Sequence, residues 1–248
     1  MGWAGECAFT FAGVVFRGET ADNRPHRHAA VQVTLGLNGP VTILEFSGGM
    51  SERPVSGPAL VVRPDVVHAL QPSGQVLLAL LPPQTRLAQR ILRNTTPDGV
   101  VKLSPEVAAS IDAGGCLVTS LDALRIPPLD NAAPDERVLR ALAFLESARG
   151  PRAIERAAAC AGLSVSRLRA IASAHLEVPL SRWSTLRQLQ RAGHALVRGA
   201  SLAEAAIDGG FADQAHLTRQ MRRTFGVTPA TVAALVRGAD RRFVQDGA

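Results

Sequence analysis

Two groups of residues in this 248-residue chain have the types and spacing to do chemistry. The first is rich in imidazole: His26-Arg27-His28, then Gln32, then His68. Side chains at i and i+2 share one face of a strand, so an extended segment sets His26, His28 and Gln32 on one side. Neutral imidazoles and an amide oxygen are ligands for a divalent ion such as Zn, Ni, Mn or Fe, although glutamine is weaker than a carboxylate because it brings no charge. Three readings of this group stand open: a metal centre, an effector pocket without metal, and ordinary core or surface histidines. The second group is cationic and lies in Gly210–Pro229, GFADQAHLTRQMRRTFGVTP. Leu217, Met221, Thr224 and Phe225 recur there at helical spacing as one buried stripe. Ala215, His216, Arg219, Arg222 and Arg223 take the opposite side, where guanidinium groups can meet phosphates and guanine edges.

The residues around the cationic group define the helix that carries it. Asp213 stands at the N-cap, its carboxylate able to accept from the first free amides. Gly226 ends the helix, and Pro229 prevents easy continuation. Upstream, Ser201-Leu202-Ala203-Glu204 forms a capping box that opens a short helix through Leu202, Ala205, Ala206 and Ile207. The Gly209-Gly210 pair then turns the chain. Two short helices joined by a tight turn, the second with outward arginines, place a recognition helix in a major groove. A second such unit precedes it: a helix over 152–161, a turn at Gly162-Leu163-Ser164, and a helix from Val165 to about His175. In the latter, Leu168 and Ile171 point inward and Ser166, Arg167, Arg169 and Ala170 outward. Between the units, Leu180 to Gly199 reads as a linker helix. Its twenty residues span about 30 Å, close to the roughly 34 Å between successive major-groove faces. Asp135 to Arg149 reads as a further helix, with Val138, Leu139, Leu142 and Leu145 on its buried side.

This C-terminal part resembles the DNA-binding domain of the AraC/XylS family of bacterial transcription regulators. The resemblance rests on Ser201-Leu202, Glu204, Ala205, Gly210-Phe211, Asp213-Gln214, Leu217, Arg219, Arg222-Arg223, Phe225-Gly226 and Thr228-Pro229, with a weaker match at GLSVSRL in the first unit. It covers about 135–236 well and the N-terminal half loosely. It implies double-stranded DNA as the partner. Arg169 and Arg219 are then base readers, Arg222 and Arg223 phosphate contacts, and Arg167 a base or phosphate contact. Ser166, Gln214, His216 and Thr218 complete the DNA-facing set. The same resemblance implies a small-molecule effector, a contact with RNA polymerase and a homodimer through the N-terminal half.

Residues 9–81 read as short strands separated by Pro, Gly and Ser, the pattern of a small antiparallel sandwich or barrel. The runs are 9–16, 31–37 with half-buried alternation, 41–46, 59–63, 66–70 and 76–81. Here the histidines resemble the first metal-binding motif of cupins: His-x-His, three residues, Gln32, six residues, Gly39. Pro64, four residues before His68, fits the second. Gln32 replaces the usual glutamate and Val66 the usual glycine. Helices follow at Gln84 to Arg93, at Pro105 to Ile111 and at Leu117 to Ile126; either they form a dimer contact, with Gln84 to Arg93 the candidate, or they cover the sheet. Pro127 to Pro134 is a linker.

The expected fold is two-domain α+β. A cupin-like antiparallel β-sandwich with helices occupies 1–130, and an all-α domain with two helix-turn-helix units joined by a linker helix occupies 131–248. Charge follows this division. Residues 1–130 hold 10 basic and 11 acidic side chains, and 131–248 hold 17 and 10, so the cationic footprint of a nucleic-acid binder is confined to the C-terminal part. Cys7, Cys116 and Cys160 form neither a disulfide framework nor a metal pattern. No run is long and apolar enough to span a bilayer, and the start lacks a signal-peptide pattern. A cytoplasmic setting without membrane contact is expected. The function expected is sequence-specific DNA binding, not catalysis. The alternatives are a metal-dependent cupin enzyme with a DNA-binding tail and a non-specific nucleoid protein.

Overall fold

In the computed structural model, the residues described are 3–10, 13–21, 23–47, 51–72, 74–97, 99–103, 135–148, 150 and 152–238. The expected helices at 105–111 and 117–126, the linker at 127–134 and the domain boundary at 130 lie outside them.

The N-terminal part is an antiparallel two-sheet structure. Its strands are β1 (Ala4–Thr10), β2 (Gly13–Glu19), β3 (Val31–Gly36), β4 (Val41–Ser47), β5 (Ser51–Gly57), β6 (Ala59–Val62), β7 (Val67–Leu70), β8 (Gln75–Leu81) and β9 (Val100–Lys102). One sheet runs β1-β2-β8-β3-β6-β9 and the other β5-β4-β7. The run expected as a single strand over 9–16 is two strands, β1 and β2, paired antiparallel from Ala4↔Glu19 to Thr10↔Gly13.

Strand β3 also departs from expectation. It is not half-buried, because Val31 to Leu35 are all buried. The reason is that both faces of the large sheet are covered. Val31, Val33 and Leu35 pack with Ala88, Ile91 and Leu92 of helix α1 (Arg86–Arg93). Gln32 and Thr34, one position out of phase, face the other way. The apolar side of α1 is therefore spent on the sheet. Thr85 caps this helix by accepting from the amide of Ala88, so it starts two residues later than expected. Strand β5, SERPVSG, escaped the sequence reading because it is polar and contains Pro54. It is an edge strand, the position where a missing amide hydrogen is tolerated.

The C-terminal part is helical: α2 (Glu136–Ser147), α3 (Ala153–Cys160), α4 (Val165–Leu176), α5 (Leu180–Val197), α6 (Leu202–Gly209), α7 (Gln214–Phe225) and α8 (Pro229–Gly238). Val138, Ala141, Leu142 and Leu145 form the buried side of α2. Leu139, expected among them, is 44% exposed. The stripe turns on Ala141 instead, which a small side chain made easy to overlook.

Helix α5 joins the two helix pairs and is the hub of the domain. Leu180, Trp183, Leu186, Leu189 and Leu196 on it are buried. The β-rich part grips this helix. The ring of Phe9 occupies the space a side chain at Gly193 would need. The indole N–H of Trp183 donates to Oε1 of Gln84 at 2.8 Å, and Arg182 pairs with Asp65. Beside its start, Arg63 pairs with Glu177 at 2.7 Å.

Candidate functional site

The two helix-turn-helix units are positioned by their caps. Ser164 accepts from the amide of Arg167 to start α4. Ser201 and Glu204 form the full capping box of α6. Asp213 accepts from the amide of His216 at 2.6 Å to start α7. Gly210, at φ 81°, makes the turn between α6 and α7, and Gly226, at φ 70°, ends α7. Both conformations are left-handed and suit glycine.

Ser166, Arg167 and Arg169 are exposed on α4, and Gln214, Arg219, Arg222 and Arg223 on α7. Two residues of the DNA-facing set are engaged inside their own helix or turn. The Thr218 hydroxyl donates to the carbonyl of Gln214 at 2.8 Å. The His216 ring stands edge-on to Phe211 at 5.3 Å, and its Nδ1 accepts from the amide of Ala212 at 3.4 Å. His216 thus holds the turn that presents α7.

The imidazole group does come together, though not on one regular strand. His26 and His68 form an isolated antiparallel bridge through their backbones. His28 lies between that bridge and β3, and Gln32 is in β3. All four side chains are buried. One ring nitrogen from each of His26, His28 and His68 lies within 4.8 Å of one from each of the others. Each ring is anchored by Nδ1 on a backbone carbonyl: His26 on Arg24 at 2.9 Å, His28 on Ala30 at 3.0 Å, and His68 on Val66 at 3.0 Å. A carbonyl only accepts, so each Nδ1 carries the proton and each neutral ring keeps a lone pair on Nε2. Oε1 of Gln32 lies 3.1 Å from Nε2 of His28 and 3.2 Å from Nε2 of His68.

Burial depresses the pKa of all three rings. His26 is brought down to about 4, chiefly by desolvation and then by the charge of His28. His28 is lowered and His68 lies well below the ordinary value, desolvation again being the largest cause. The rings are therefore neutral near pH 7, the state a metal ligand requires. The backbone partners on Nδ1 are those that orient metal-bound histidines. Three lone-pair nitrogens and one amide oxygen make a donor set that fits a divalent ion. A metal-free alternative exists in the same geometry. With the Gln32 amide turned over, its NH2 donates to both rings and its oxygen accepts from the Thr34 hydroxyl, which lies 3.0 Å away.

Sequence reasoning missed what this cluster borders. An apolar cavity of 80 Å³ is lined from the β-rich part by Trp3, Phe9, Phe16, Leu78 and Leu80, with His26, His28 and Gln32 as its polar end. Its other wall is helical: Met221 and Phe225 from the inner face of α7, Val232 and Leu235 from α8. Helix α7, expected from the sequence to read DNA, is thus part of the cavity wall. Nothing in the sequence placed α7 against the β-rich part.

Comparison with known proteins agrees with this architecture. Residues 157–234 match the family described as "Helix-turn-helix domain". A search of curated proteins by sequence found no match. By structure, the chain is similar to ToxT from Vibrio cholerae. With the unsaturated-fatty-acid-bound form the TM-score is 0.59 at 9% identity, covering 94% of this chain and 98% of that one. With the form bound to (E)-4-(8-methylnaphthalen-1-yl)but-3-enoic acid it is 0.53 at 9% identity, covering 95% and 100%. At such identities the likeness concerns the fold. Among the described residues no helix is long and apolar enough to cross a membrane. Residues 157–234 match a helix-turn-helix domain, and the chain joins it to an antiparallel β-rich N-terminal domain, a two-domain fold like that of ToxT.

Proposed function

We propose that this protein is a sequence-specific transcription regulator whose hold on DNA is set by a small, largely apolar effector bound between its two domains. The observation that carries the reading is the shared wall of the cavity, in which Met221 and Phe225 of the recognition helix face Phe9, Phe16 and Leu80 of the β-rich domain. A volume of 80 Å³ is well below the roughly 300 Å³ of ordinary small-molecule sites. An effector of that size must part the walls, and α7 is one of them. Binding energy is thereby converted into a shift of the helix that reads DNA, as a ligand with different affinity for two states must do. ToxT, similar in fold, is known bound to an unsaturated fatty acid and to a naphthyl butenoic acid. Both have an apolar body and one carboxylate, and a cavity with an apolar body and one polar end suits that class.

The test is fluorescence anisotropy of a selected operator duplex with an unsaturated fatty acid added, for wild type and Leu80→Trp, which fills the cavity. The reading expects operator affinity to change with fatty acid in wild type and to be insensitive to it in the variant. Equal fatty-acid responses in the two proteins would remove the cavity from the account.

A second occupant is supported by the donor set of His26, His28, Gln32 and His68: a divalent ion, Zn, Ni, Mn or Fe, held by the three Nε2 atoms and Oε1. It would supply a fixed positive charge at the polar end of the cavity, while the chain's own contribution is to hold the rings neutral and oriented. Isothermal titration of Zn2+ into wild type and His68→Ala separates this from the metal-free network. Stoichiometric binding lost in the variant supports the ion, and no binding in wild type rejects it.

A further inference from the structure

A second cleft between the domains, of 620 Å³, also uses His26 and His28 as wall but is polar and cationic. Arg27 enters it from the β-rich domain. Ser181 and Arg182 enter from the first turn of α5, and Gln220 and Arg223 from α7. The described carboxylate beside two of these arginines is Asp65, which pairs with Arg182 and lies 4.0 Å from Nε of Arg27. No described acidic group pairs with Arg223. Among the described residues, three guanidinium groups against one carboxylate leave a formal charge of +2 in a concave site. The pKa of Arg182 is depressed first by desolvation and then by the charges of Arg27 and Arg223.

We propose that this cleft binds a small phosphoryl dianion, the phosphate group of a phosphomonoester, through Arg27, Arg182 and Arg223. The charge balances: two unneutralised guanidinium groups meet a dianion. Guanidinium forks match phosphate oxygens bidentately, and the Ser181 hydroxyl and Gln220 amide are further donors on the same wall. A DNA backbone is less suited to the site, because Arg27 belongs to the β-rich domain and the site is a concavity between domains. The helical geometry agrees. Gln220, Arg223 and Thr224 line the cleft, whereas Gln214, Arg219 and Arg222 of the same helix do not. Arg223 is thereby assigned to the cleft in place of the DNA phosphate contact expected from the sequence. A ligand there ties the recognition helix to the β-rich domain from the side opposite in character to the apolar cavity.

The test is isothermal titration of the full chain with inorganic phosphate at pH 8, with citrate as a carboxylate comparison. Wild type binds phosphate saturably. Arg27→Ala and Arg223→Ala weaken binding at least about tenfold, the loss of a charge-assisted pair, and Arg222→Ala does not. Asp65→Asn strengthens it, because the competing charge is removed while asparagine tolerates the left-handed backbone at φ 69°. A gain of this kind cannot arise from misfolding. No saturable binding, or equal affinity in Arg27→Ala and wild type, overturns the site. Binding of citrate in preference to phosphate overturns the phosphoryl assignment. An Arg223→Ala protein with unchanged phosphate affinity but a reduced salt slope on DNA returns Arg223 to the DNA face.

Discussion

The ring of Phe225, the last residue of the recognition helix, lies 6.4 Å from the ring of His28. The buried histidine cluster and helix α7 therefore share a contact. Next to it, Gly226 sits so close that a methyl group there would lie 3.1 Å from Cβ of Asn23 and 3.2 Å from Nδ1 of His26. The histidines therefore lie directly against the C-terminus of α7.

That approach makes a comparison of two glycines informative. Gly210 and Gly226 both have left-handed backbones, but a side chain at Gly210 meets nothing closer than 3.6 Å. Gly210→Ala should cost about 1 kcal/mol from the backbone alone. Gly226→Ala should cost clearly more, since it must also push the β-rich domain away. Urea denaturation of both variants gives the difference. Equal losses would mean that the contact with Asn23 and His26 carries no stability.

The depressed histidine pKa values fix a pH dependence. In the unfolded chain these rings take up a proton near pH 6.5, and in the fold His26 does so only near pH 4. Between those values the unfolded state binds more protons, so stability falls as pH drops from about 6.5 towards 4. Above 6.5 the rings contribute no slope. Urea midpoints at pH 7.5, 6 and 5 should decline, and His26→Asn should flatten the decline. A midpoint independent of pH across this window would contradict the burial of neutral rings.

Asp213 is the cap of the recognition helix. Asp213→Ala should lower stability by about 1 kcal/mol and weaken operator binding together, because α7 begins at the next residue. Thermal melts and anisotropy on the same preparation check both. A stable variant with normal binding would show that the Asp213 contact with the His216 amide is dispensable.

Gln32→Glu distinguishes the two states of the histidine cluster. With a divalent ion the new carboxylate is a stronger ligand, and Zn2+ should raise the melting temperature more than in wild type. Without an ion the variant buries an extra charge, so it should melt lower than wild type in chelator. A variant equal to wild type under both conditions would mean that Gln32 does not face the rings as described.

Much of the helical half was legible because its signals are local. Ser201 with Glu204, Asp213 and the glycines at 210 and 226 are caps and turns, and each reads over a few residues. The strand runs and the convergence of His26, His28, Gln32 and His68 were also legible, the latter from spacing and resemblance. What could not be read is what lies on the far side of each element. Val31 to Leu35 alternate in sequence, yet both faces are covered, one by α1 and one by the inner core. Strand β5 has no apolar pattern because its place is at an edge. The packing of Phe9 on Gly193, and of Met221 and Phe225 on the cavity, joins residues about two hundred positions apart. Neither periodicity nor capping carries that information.

The most direct test of DNA reading by two units is selection of bound duplexes from a random library at about 150 mM salt, using wild type, Arg219→Ala and Arg222→Ala. The account predicts a two-part motif with centres about one helical turn apart. In Arg219→Ala one part should relax, with a loss of about 1–3 kcal/mol of discrimination at one base pair. In Arg222→Ala the motif should be unchanged while the salt slope falls by roughly one. Equal recovery of all duplexes by wild type, with or without an unsaturated fatty acid present, would contradict it.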